Sequence, residues 1–161
     1  MQLLHSGMPD VPEKGGMMSE LMNGEKGAEL LRVIKDSIGD ARSTVQELAQ
    51  VFRESVQSLR IEESEGVFLR LMQNIRDLQY VMTFMSELNE GLRFFNEFGL
   101  PSDPITDQRA GIHLFSEMNS AFETRDWIML SDLIEYELSP LLLKEDEWLG
   151  MLDKKLAECA A

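Results

Sequence analysis

His113 and Glu117 stand four residues apart, a spacing that puts two metal ligands on one face of a helix. One such pair does not make a catalytic centre. Di-iron bundles draw a Glu-x-x-His from each of two helices, with two further Glu, and the chain contains no Glu-x-x-His. His113 therefore reads as a boundary or surface residue. Glu135, Tyr136 and Glu137 place two acids around an aromatic. Carboxylates that work as an acid/base pair converge across a cleft, whereas two steps along a helix turn these two apart by about 200°. The better use of this stretch is recognition. Met129, Asp132, Leu133 and Tyr136 share one side of a helix, and Tyr suits an interface because it joins apolar area to a hydrogen-bonding tip. Near the N-terminus, Met17, Met18, Leu21 and Met22 form a short amphipathic segment. Methionine adapts to irregular surfaces, so a docking role suits it.

Other chemistries lack their residues. Gly15-Gly16 is not followed by Lys-Ser/Thr and no strand precedes it, so there is no phosphate loop. Cys159 has no local His partner. As the single cysteine it makes no internal disulfide, which points to a reducing compartment. No catalytic residue, cofactor or metal site is assigned, and an enzyme is not expected.

Charge narrows the partners. The formal net charge is −14 over 161 residues, and the acid excess lies in the helical part rather than in a tail. Such a surface repels nucleic acid and anionic membrane, and there is no basic stripe with interleaved aromatics. Another protein, in particular a basic or helical segment, is the expected partner. No run approaches 18 apolar residues, and the N-terminus lacks the basic and apolar regions of a signal peptide. A cytoplasmic location follows.

Helices must position these residues. Phe68, Leu71, Ile75, Leu78, Met82, Met85, Leu92 and Phe95 recur at steps of three and four, apart from one skipped turn at Asn89. Val67, Val81, Phe84 and Leu88 broaden that face, so Val67 to Phe98 reads as the central helix of a bundle, touched on two sides. A first helix is expected from Ala28 to Arg60, with Gly39 a candidate bend. At 1.5 Å per residue it would span roughly 50 Å. A short turn over Ile61 to Gly66 makes these two an antiparallel hairpin. Gly99 and Pro101 end the central helix. A third helix is expected over Pro104 to Glu123, and a last one from Asp126 to Ala157, kinked or broken at Pro140. Residues 1–27, with Pro9, Pro12 and several glycines, read as a flexible arm before a bundle domain over 28–161.

Asp132 to Leu142 also resembles a segment of uncharacterised bacterial all-helical proteins, with the pattern Asp-Leu-Leu/Ile-Glu-Tyr-Glu-Leu-x-Pro-Leu-Leu. The resemblance implies a bacterial, cytoplasmic, all-α protein and carries no reaction with it.

The expected fold is all-α, an antiparallel bundle of about four helices with a mobile N-terminal arm. The expected function is a non-enzymatic interaction module, adaptor or chaperone-like, that binds a partner's helix or disordered segment. One alternative is a structural protein that assembles with itself as a dimer or tetramer. Another is a metal-dependent bundle enzyme using His113, Glu117 and acids of the last helix.

Overall fold

The computed structural model describes residues 24–92 and 110–159. Most of the expected arm, including Met17, Met18, Leu21 and Met22, lies outside the described residues. So do the expected end of the central helix near Phe98 and the start of the third helix at Pro104. All regular structure among the described residues is helical. None of these helices is long and apolar enough to cross a membrane.

Helix α1 runs over Glu25–Ile61, 37 residues, or about 55 Å. It begins three residues before the expected Ala28. Gly24 is extended at the N-cap and its carbonyl accepts from Ala28 N–H at 3.0 Å. Adding one turn to a helix that already exists requires no new nucleus, and Glu25 in that turn complements the helix dipole. Residues 25–27 are therefore helix and not arm. Ile38, Ala41, Val45, Leu48, Phe52, Val56 and Leu59 form its buried stripe, at the 3/4 spacing of one helix face.

Gly39 does not break α1. It is exposed, and a Cβ there would meet nothing within 4 Å. Gly39→Ala is expected to stabilise the protein by about 0.5–1 kcal/mol, because alanine restricts the unfolded chain and meets no obstacle in the folded one. Thermal melting checks this, with a rise in Tm of about 2 °C. A fall would mean the backbone at Gly39 needs glycine's freedom.

After Glu62–Ser64, α2 runs over Glu65–Leu92. The Ser64 hydroxyl accepts from Val67 N–H at 3.4 Å, so the helix starts at Glu65, inside the expected turn over Ile61 to Gly66. So short a turn folds α2 back on α1. Val67, Leu71, Ile75, Leu78, Val81 and Met85 are buried, while Phe68, Met82, Phe84 and Leu88 flank them half-buried.

Helix α3 covers Ala110–Glu123. Its end is a Schellman arrangement, with Asp126 N–H donating to Ala121 O at 2.9 Å and Arg125 N–H to Phe122 O at 3.2 Å. Arg125 sits at φ 57°, the left-handed position where glycine is usual. Asp126 then caps the last helix, α4, by accepting from Met129 N–H at 3.1 Å.

Helix α4 is made of Trp127–Asp132, a π-helical stretch Leu133–Leu138, and Ser139–Cys159. The expected kink or break at Pro140 is replaced by this π stretch. Pro140 offers no N–H to the Tyr136 carbonyl and crowds it. The turn before it has widened, and Ser139 N–H donates to Ile134 O, five residues back. The widening also serves packing. Leu130, Ile134, Leu138 and Leu142 are all fully or almost fully buried, yet steps of four drift about 40° each around an α-helix. A wider turn absorbs that drift and keeps the stripe on the core.

Among the described residues the centre of the bundle is α1, not α2. The closest helix pairings are α1 with α4 and α1 with α2. Helix α2 is touched on two sides, but unequally. Away from α1 it meets its neighbours through long side chains: Phe68 stacks on Trp127, ring centroids 4.4 Å apart, and Leu78 and Met82 line a small cavity with Leu114, Met118 and Leu138. A broad apolar sector shows that a helix has two neighbours. It does not show which of them comes close.

Candidate functional site

The two sides of α1 have different fates. On one, Arg42 Nε donates to Asp146 Oδ1 at 2.8 Å and Gln46 Nε2 to the same oxygen at 3.0 Å. Gly150 lets the Arg42 guanidinium lie where its Cβ would be only 3.0 Å away. Farther along, Arg60 pairs with Glu135 of the π stretch. These contacts tie α1 to α4 and show the two to be antiparallel.

The other side of α1 opens, with α2, into a cavity of about 550 Å³. Its floor is apolar: Ala41, Leu48 and Val51 from α1, Val81 and Phe84 from α2. Three carboxylates stand among its walls, Asp40 and Glu47 on α1 and Asp77 on α2. Tyr80 lines it too and is 75% exposed. The groove exists because the α1 residues facing it are small, Ser37, Ala41 and Thr44. Toward the α1–α2 turn a second cavity of about 160 Å³ continues it, sharing Val51 and Asn74. Here Asn74 Nδ2 donates to Ser55 Oγ at 2.9 Å, and Ser55 donates to Val51 O at 2.8 Å. A polar pair across an apolar seam fixes the register of the two helices. An apolar floor between acidic walls is suited to binding.

The residues singled out from the sequence do not form one site. Met129 is 43% exposed, Tyr136 is 68% exposed and Asp132 is also exposed, all on the outside of α4. Leu133 is 7% exposed and belongs to the core. Its place in a patch with Met129 and Tyr136 is therefore corrected. The π stretch starts at Leu133 and lets Leu133 and Ile134 both face inward. His113 and Glu117 approach at 3.5 Å on the surface of α3. Among the described residues no three metal-binding side chains come together.

Two features escaped the sequence reading. One is the groove, whose signal was the small-residue line Ser37, Ala41, Thr44 on a helix otherwise rich in large apolar residues. The other is Glu145, fully buried on the core side of α4. It falls in step with Leu142, Leu149 and Leu152, a 3/4 spacing that marks it as inward-facing.

The model of the family described as "Domain of unknown function (DUF8042)" matches residues 34–145. The chain belongs to the DUF8042 family. The matched span takes in the whole groove, the turn between α1 and α2, and the π stretch with Pro140. No curated protein and no solved structure matches the chain.

Proposed function

We propose that this DUF8042 protein is a non-enzymatic interaction module, an adaptor or chaperone-like protein, that receives a segment of a partner protein in the groove between α1 and α2. The observation that carries this reading is the groove itself: a hollow between two helices, floored by half-buried Val51 and Phe84 and by buried Ala41, Leu48 and Val81, with carboxylates along its walls. Proteins seldom leave a concave apolar surface open unless something occupies it.

A second reading, self-association, draws on the outer face of α4. Ile128, Met129 and Tyr136 are exposed there, at 79%, 43% and 68%. Thr44→Trp and Met129→Glu separate the two. Thr44 lines the groove at its edge, so tryptophan fills the groove without entering the core. In capture from host lysate, a near-stoichiometric partner is expected with the wild type and with Met129→Glu, and is lost with Thr44→Trp. Circular dichroism of all three should agree. Capture that survives Thr44→Trp, or recovery of the chain alone as a Met129-dependent dimer in light scattering, overturns the groove reading.

A further inference from the structure

Resting on that reading, we infer that the occupant of the groove is a basic amphipathic α-helix of about five turns, contributed by a partner protein. Three observations define it. The first is length. The main cavity is lined along α1 from Ser37 to Val51, and the smaller one, which adjoins it at Val51 and Asn74, reaches Ser58. That run of α1 spans about 32 Å, the length of a helix of about 20 residues.

The second is backbone chemistry. Both walls are helices, whose backbone groups are already bonded internally. An extended segment laid on this floor would find no sheet edge to pair with and would lose water from its own N–H and C=O groups. A helix arrives with those groups satisfied. It needs only an apolar stripe to meet Ala41, Leu48, Val51, Val81 and Phe84.

The third is charge. Asp40, Glu47 and Asp77 line the main cavity, which has no Lys or Arg among its lining residues. Asp40 and Glu47 are seven residues apart, two turns along one wall. They match Lys or Arg at i and i+7 beside the partner's apolar stripe. Arg70 and Glu54 line the smaller cavity, near the α1–α2 turn. A partner helix with one acid among its bases would set that acid at the Arg70 end, which gives it a direction. The net charge of −14 speeds the approach of such a helix.

Three labelled 20-residue peptides test this by fluorescence anisotropy against the full chain. One has a leucine stripe and a lysine polar face. The second has the same composition with the stripe scrambled. The third keeps the stripe and carries glutamate. The first is expected to bind at least about tenfold tighter than either other, and to gain helicity on binding. Asp40→Lys, Glu47→Lys and Asp77→Lys together should weaken it about tenfold or more. Three reversals outside the groove, Glu137→Lys, Glu147→Lys and Glu158→Lys, should leave most of the binding in place. Equal binding of the scrambled peptide, or equal loss from both sets of reversals, would mean general charge attraction and overturn the inference. Tighter binding of the glutamate peptide would overturn it as well. If the lysine helix does not bind but lysate capture remains sensitive to Thr44→Trp, the groove stands as a docking site and its occupant is not a basic helix. If Thr44→Trp affects neither, both readings fall.

Discussion

Leu133→Glu is expected to unfold the packing of α4, while Met129→Glu leaves the fold intact. The two residues are four apart in the chain and look interchangeable on a helical wheel. In the structure Leu133 is 7% exposed and Met129 43%. Replacing Leu133 removes a core side chain and sets a carboxylate against α4's own stripe of Leu130, Ile134 and Leu138. The lost packing and the buried charge together cost about 4 kcal/mol or more. A domain of this size has a total stability of about 5–15 kcal/mol. Tm should therefore fall by about 10 °C or more, with weakened helical circular dichroism at growth temperature. Met129→Glu should stay within about 0.5 kcal/mol of the wild type, as exposed substitutions usually do. Equal melting of the two variants would show that the π stretch does not turn Leu133 inward.

Phe52→Ala should have an effect of similar size. Phe52 is fully buried in the C-terminal third of α1, the helix that α2 and α4 both pack against. Truncating a buried phenylalanine costs about 3–5 kcal/mol through lost contacts and the cavity left behind. Phe68→Ala should cost less. Phe68 is only half-buried and stacks on Trp127, which rests edge-on against Phe122 at 5.7 Å. Urea midpoints of the two variants measure the difference. A larger loss for Phe68→Ala would make α2, rather than α1, the organising helix.

The assignment of the centre shows where pattern reading stops. The stripes of α1 and α2 were both legible as 3/4 repeats. α2 looked more central because large side chains widen its face. Those large side chains are the reason for its looser fit, since Phe68 and Met82 span the space to α3 and α4. Small and medium residues let backbones approach. Breadth of an apolar sector and closeness of packing are thus separate quantities, and a wheel displays only the first.

Pro140 teaches a similar lesson. The sequence correctly marked it as a disturbance of an α-helical ladder. Whether a helix answers by breaking, bending or widening depends on what each response does to burial. Here widening keeps Ile134, Leu138 and Leu142 on the core and puts Leu133 there as well, so the tertiary contacts select the π stretch.

What the sequence determined by itself is local and periodic: an all-α chain, a hairpin turn within Ile61 to Gly66, a helix boundary between Glu123 and Asp126 and a strongly acidic composition. Each follows from residues close together in the chain, or from composition. Tertiary structure alone decided that α1 lies at the centre, that Leu133 and Glu145 face inward, and that Asp40, Glu47 and Asp77 gather around one apolar floor. Asp77 is 30 residues beyond Glu47 in the chain. The two share a groove only because three turn residues reverse the chain and small side chains at Ala41 and Thr44 leave space between the helices. That space belongs to no single helix, and a periodicity read along one helix cannot contain it.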